Sequence, residues 1–183
     1  MFPLLLSKII HTDKLLFLHL VTQKTRIYTF LNPVSYLIAL ENKSLFEQFD
    51  GIFADGSLLV SAIRLVYGKR VTRRSFDMTS LAPELLNYLM ESRKTLYIVA
   101  SGQEQVECSV RIFQEQYPEL HIAGFRNGYF SSDAEMNKEA SHIVELNPDF
   151  LIVGMGALMQ EKFLLKVKKM GYQGISLNYI SNN

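Results

Sequence analysis

The chain has 183 residues, nearly half of them apolar and a fifth charged. That is enough for one folded domain, residues 1–183, with a real core, and it excludes a disordered chain. A formal net charge of +1 supplies no global basic field, so nucleic acid is not expected as a partner.

Residues 1–10 are largely apolar but are interrupted by Lys8 and followed by Asp13 and Lys14. The run is shorter than the roughly 18 apolar residues of a membrane span. It has neither the basic start nor the small-residue cleavage site of a secretory leader. It reads as a strand or helix packing on the core. Residues 26–31, rich in β-branched and aromatic side chains, read as a strand. Residues 33–49 read as a helix with Pro33 in its first turn. A short buried strand at 51–54 leads to a helix at 56–67, closed by Gly68. Residues 75–90 read as a further helix, with Asp77 or Thr79 placed to cap it. The apolar strand TLYIVA at 95–100 turns at Ser101-Gly102 into an amphipathic helix, 103–116, which Tyr117-Pro118 stops. A strand at 121–125, the turn Arg126-Asn127-Gly128 and a helix at 133–145 come next. Asn147-Pro148-Asp149 turns into the strand 150–153, and Gly154-Met155-Gly156 forms a tight loop before a helix at 157–170. A last strand covers 174–177. The lone cysteine, Cys108, reads as a packed thiol in the helix 103–116 and fits a reducing, cytoplasmic compartment.

Apolar strands separated by helices predict an α/β fold, a Rossmann-like parallel sheet with helices on both faces. Right-handed crossovers then gather the strand-to-helix loops on one edge, where ligands bind. The loops after Leu31, Ala54, Ala100 and Val153 are therefore the candidate site.

Asn32 ends the first strand and is either a helix cap or a ligand contact. Asp55 precedes Gly56 and is either an N-cap or a base able to take a proton from a hydroxyl. Gly56 permits close backbone approach. The basic run at 69–77, KRVTRRSFD, is either a solvated surface or a diphosphate site, for which the arginine fork is suited. Gly102, and Gly154 with Gly156, can offer backbone N–H groups to a phosphate, although a lone GxG is weak. Gln160-Glu161-Lys162 either faces the ligand edge or forms an exposed turn. His11, His19, His121 and His142 show no metal-ligand spacing, so neither a metal nor another cofactor is expected.

Taken in order, ADG at 54–56, RRSFD at 73–77, YPEL at 117–120, NGYF at 127–130, PD at 148–149 and VGMGALMQEK at 153–162 resemble the WecG/TagA/CpsF family of glycosyltransferases. The resemblance covers residues 29–172. It implies a Rossmann-like fold and metal-free, inverting transfer of a sugar, commonly N-acetylmannosamine, from a UDP-sugar donor to a lipid-linked saccharide acceptor. The reaction would lie at the cytoplasmic side of the membrane, with peripheral membrane contact, in the synthesis of a cell-surface polymer. Asp55 would be the base, Arg73 the catalytic cation with Arg74 as its competitor, and Gln160 the third catalytic residue. Asn32, Gly56, Asp77, Gly102, Tyr129, Gly154, Gly156 and Glu161 would line the substrate site.

Three departures stand out. Ser75-Phe76 replaces the glycine usual before the aspartate of the basic segment. Leu158 replaces the proline usual before xQE. The tail 177–183 matches no family pattern, so a shortened chain that binds nucleotide sugar without turnover is the alternative. A nicotinamide-dependent oxidoreductase fits less well, lacking the third glycine and its acidic partner. An assembly of identical chains is left open.

Overall fold

A computed structural model describes residues 3–10, 23 and 25–178. His11, Asp13, Lys14, His19 and the tail 179–183 lie outside the described residues. Six strands form one parallel sheet in the order β2-β1-β6-β5-β3-β4. They are β1 (Ile27–Leu31), β2 (Gly51–Ala54), β3 (Thr95–Ala100), β4 (His121–Arg126), β5 (Phe150–Gly154) and β6 (Ile175–Asn178). The helices are α1 (Pro3–Lys8), α2 (Pro33–Glu41), α3 (Lys43–Phe46), α4 (Ser57–Tyr67), α5 (Ala82–Glu91), α6 (Gln103–Gln116), α7 (Asp133–Leu146) and α8 (Met159–Lys169). Among the described residues, no helix is long and apolar enough to cross a membrane.

Strand alternation sorts the core into two faces. Tyr28, Phe30, Phe53, Ile98 and Ile152 pack against α5 and α6 through Leu85, Leu86, Leu89, Val106 and Val110. The opposite face meets α7 and α8 through Tyr97, Val99, Leu151 and Val153. Toward the β2 edge, the same face meets α1 to α4 through Leu31, Ile52 and Ala54. Ile9, just after α1, bridges to Ile52 and extends that edge.

Three expectations need correction. The helix expected at 33–49 is broken at Asn42, whose backbone leaves helical angles while its side chain donates to the Ile38 carbonyl at 2.9 Å. That side-chain bond competes with the backbone ladder. The helix expected from residue 75 begins at Ala82. Arg74 N–H bonds Ala54 O at 2.9 Å, which ties the preceding segment to the end of β2. Asp77 closes its own turn by accepting from Thr79 N–H at 2.8 Å and capping no helix. Cys108 is exposed, not packed. Val106 and Val110 face the core, and a residue two positions from each points about 200° away around the helix.

Candidate active site

The carboxyl ends of all six strands share one rim, and Asp55 follows β2 there. Its N–H bonds Leu31 O at 2.8 Å, which continues the sheet by one step. Gly56, at φ 87, is the N-cap of α4, and no side chain caps that helix. Asp55 is therefore not a cap. Its nearly buried carboxylate accepts from Ser75 Oγ at 3.2 Å and lies 3.6 Å from Arg73 Nε. Arg73 itself is half-exposed. Asp77 lies within reach of the same Arg73 charge. Burial raises its carboxyl, but hydrogen bonds from Ser75 and Thr79 and the Arg73 charge outweigh burial and hold it below the ordinary value. Asn32 caps α2: its Oδ1 accepts from Ser35 N–H at 2.9 Å, and Ser35 Oγ accepts from Asn32 N–H at 2.8 Å. Arg74 is half-buried, and its Nη1 donates to Arg73 O at 3.3 Å.

A second group sits at the start of α8. Glu161 is fully buried and gathers donors from four places. Oε1 accepts from Thr29 Oγ1 at 3.0 Å, Asn178 Nδ2 at 3.1 Å and Gln160 Nε2 at 3.2 Å. Oε2 accepts from Leu158 N–H at 2.7 Å. Burial pushes the Glu161 carboxyl above its ordinary value, against the pull of these hydrogen bonds. Asn178 also accepts from Phe30 N–H at 2.6 Å, so one buried network joins β1, β6 and α8. Gln160 is only 2% exposed, and among the described residues no donor reaches its Oε1.

Two grooves open at the same rim. One, of about 1070 Å³ including its open mouth, is lined by Ser101, Gly102, Gln105, Gly128, Tyr129, Gly154, Met155 and Gly156. Its three loops are stitched together by Ser101 N–H to Gly154 O and Gly128 N–H to Ser101 O, both 2.9 Å. The other, of about 620 Å³, runs between α5 and α6 and has Phe76, Asp77 and Ser101 among its walls. Ser101 is common to both. Among the described residues, no three His, Cys, Asp or Glu side chains gather as metal ligands would.

The predicted residues thus fall into two groups on one rim. Asn32, Asp55, Gly56, Arg73, Arg74 and Asp77 cluster at the ends of β1 and β2. Gly102, Tyr129, Gly154 and Gly156 line the larger groove. Leu158 spans the gap: its turn follows β5, yet its side chain packs against the core cluster at the β2 edge, to which Leu31 and Ala54 belong. Gln160 and Glu161 lie beneath that turn. Asp55 and Gln160 are not in the wall of either groove. Sequence reasoning missed Thr29, Ser75 and Asn178. Asn178 had a signal, since it ends a strand on the ligand rim just as Asn32 does.

The profile of the glycosyl transferase WecG/TagA/CpsF family matches residues 12–179. This chain belongs to that family. Similar curated proteins include a UDP-Gal:alpha-D-GlcNAc-diphosphoundecaprenol beta-1,4-galactosyltransferase of Shigella boydii, 31% identical over 79% of this chain and 60% of the relative. An N-acetylglucosaminyldiphosphoundecaprenol N-acetyl-beta-D-mannosaminyltransferase of Bacillus subtilis is 24% identical over 87% of this chain and 62% of the relative. The chain therefore spans about 60% of the length of these relatives. Leu158 sits at φ 73, which a proline ring held near −65° cannot adopt, and its N–H is the donor to Glu161.

Proposed function

We propose that this chain transfers a hexose, galactose or N-acetylmannosamine, from its UDP form to the saccharide of a lipid-linked diphosphate acceptor. The reaction would take place at the cytoplasmic face of a membrane, with the protein in peripheral contact, during synthesis of a cell-surface polysaccharide. The single observation that carries this reading is the Asp55–Arg73 pair: a carboxylate and an arginine fork side by side on the ligand rim, next to a segment that walls a groove. Family membership and the names of the relatives support the acceptor class.

The acceptor hydroxyl oxygen attacks C1 of the donor sugar, and its proton passes to Asp55. The C1–O bond to the diphosphate breaks with inversion, and UDP leaves with the electron pair. The Nη groups of Arg73 and the backbone N–H groups around Gly102, Gly154 and Gly156 stabilise the departing charge. Seating the diphosphate draws Arg73 away from Asp55 and uncovers the base. Gln160 Oε1 accepts from a sugar hydroxyl once the Leu158 turn shifts to admit it. Asn32, Gly56 and Asp77 border the acceptor side and Tyr129 the donor side. Glu161 acts through Gln160, since its own oxygens are occupied. No cofactor takes part.

The test is transfer from radiolabelled UDP-galactose and UDP-N-acetylmannosamine to a short-chain GlcNAc-diphospholipid, alongside thermal shift with UDP and NAD. Label in the lipid product and a UDP-specific shift are expected. A UDP shift without transfer would establish a nucleotide-sugar binding chain instead. A shift with NAD alone would overturn the reading.

A further inference from the structure

Helix α4 carries two apolar stripes, and only one meets the core. Leu59 and Ile63 point inward. Leu58, Ala62 and Leu65 follow the i, i+4, i+7 spacing of a second face, while Val66 continues the Leu59–Ile63 stripe to the exposed end of the helix. Val34 and Leu37, one turn apart on α2, also point to solvent. These five large side chains are each 63–88% exposed. Both helices pack on one sheet face in one cluster with Leu31, Ile52 and Ala54, so their outer surfaces look the same way. They also adjoin: Pro33 Cδ lies 3.5 Å from where a Cβ on Gly56 would stand. Surfaces that meet only water rarely group so many large apolar side chains.

On the α4 side the charges beside this face have one sign, while exposed Glu41, seven residues past Val34, lies on the α2 side. Residues 56–76 include Arg64, Lys69, Arg70, Arg73 and Arg74 and no aspartate or glutamate. Arg64 and Arg70 are exposed. Apolar side chains flanked by cations match an anionic bilayer interface, where the apolar groups enter the acyl boundary and the cations meet headgroups. The patch also starts where the candidate site ends. Val34 is two residues past Asn32, and Leu58 is three past Asp55.

We infer that the outer face of α2 and α4, with Arg64 and Arg70, is the surface by which this protein lies on an anionic lipid bilayer. Docked this way, the rim bearing Asp55 sits at headgroup depth, where the diphosphate of a lipid-linked acceptor lies. The purpose of the contact rests on the transferase reading, whereas the contact itself rests on the patch alone.

The experiment is co-sedimentation of the 183-residue chain with phosphatidylcholine vesicles, with and without phosphatidylglycerol, together with gel filtration. Wild type should pellet with the phosphatidylglycerol vesicles and lose that binding at high salt. Leu37→Gln/Leu65→Gln should weaken binding by roughly tenfold or more, and Arg64→Gln/Arg70→Gln by roughly tenfold. Both variants should keep the wild-type melting temperature and UDP affinity. Transfer to a water-soluble acceptor analogue should also be unchanged. Vesicle binding without any transfer would leave this surface standing and remove the transferase reading. Overturning results are vesicle binding that ignores the substitutions, no vesicle binding, or a dimer that Leu65→Gln dissociates in place of vesicle binding.

Discussion

Arg73 Nε lies 3.6 Å from Asp55 Oδ1, so the predicted base and the predicted phosphate-binding cation meet each other. The pair is lopsided. The Asp55 side chain is 9% exposed, against 55% for Arg73. Arg73 can swing away at little cost, because a half-exposed ion pair contributes at most about 1 kcal/mol, while Asp55 is held by Ser75 and its own backbone.

Replacing Asp55 by asparagine should therefore remove the proton acceptor and leave the framework. Transfer should fall by roughly 10²- to 10⁴-fold, with UDP affinity and the circular dichroism spectrum retained. Initial rates with labelled donor check this. A variant that fails to fold would instead give Asp55 a structural task.

Arg73 and Arg74 should separate cleanly. Arg73→Ala should weaken UDP binding by roughly ten- to a hundredfold, the worth of a lost charged hydrogen bond, with little change in stability. Arg74 is half-buried and its backbone is tied to the end of β2, so Arg74→Ala should lower the melting temperature and change UDP affinity less. Calorimetric titration of UDP into both variants decides between them. Equal losses of affinity would refute the assignment.

Glu161 sets a pH dependence whose sign can be worked out. Its carboxyl titrates above the ordinary value of 4.5 in the folded chain. Between that value and the raised one, the folded state holds the proton more tightly than the unfolded state. The contribution of Glu161 to stability is thus present at low pH and lost as pH rises through the raised value. Urea unfolding across this range should show a downward slope with pH that Glu161→Gln flattens. The same substitution replaces one acceptor oxygen by an NH2 donor, which then faces either Leu158 N–H or the donors of Thr29, Asn178 and Gln160, and should cost about 1–3 kcal/mol. Its effect on transfer should appear in kcat with UDP affinity preserved, as befits a residue acting through Gln160.

Leu158 holds a left-handed backbone angle that costs a non-glycine residue roughly 1–3 kcal/mol. Leu158→Pro would restore the usual family residue yet should destabilise this chain by about 3 kcal/mol or more, losing both the angle and the N–H to Glu161. Leu158→Gly should keep both and lose only the packing on the core cluster at the β2 edge. Denaturant midpoints for the two variants should differ accordingly. A proline variant as stable as wild type would mean that the turn has another conformation.

Most strand positions were legible because TLYIVA at 95–100, GIFA at 51–54 and FLIV at 150–153 are too apolar and too short for anything but a covered parallel sheet. Helix starts were less legible. Asn42 and Asp77 spend their side chains on local hydrogen bonds, and a periodicity count does not register that competition. At the site, Asn32 and Asp55 each had two readings. Only coordinates separate the cap at Asn32 from the uncapped, arginine-paired carboxylate at Asp55. The Thr29–Glu161–Asn178 network was illegible because it depends on strand register: Thr29 reads as one more β-branched strand residue until Glu161 is placed opposite it.

Strand β6 lies between β5 and β1, and Asn178 reaches Phe30 across a separation of 148 residues. On the ribosome, β1 with β2 and β3 with β4 and β5 can each pair early, but the two half-sheets have nothing between them until β6 emerges. Each carries an open edge until then, a condition that slows folding and invites strand exchange with other chains. The same late strand supplies Asn178 to the Glu161 cluster. A nascent chain therefore cannot complete the Glu161 cluster at this rim before β6 has been made.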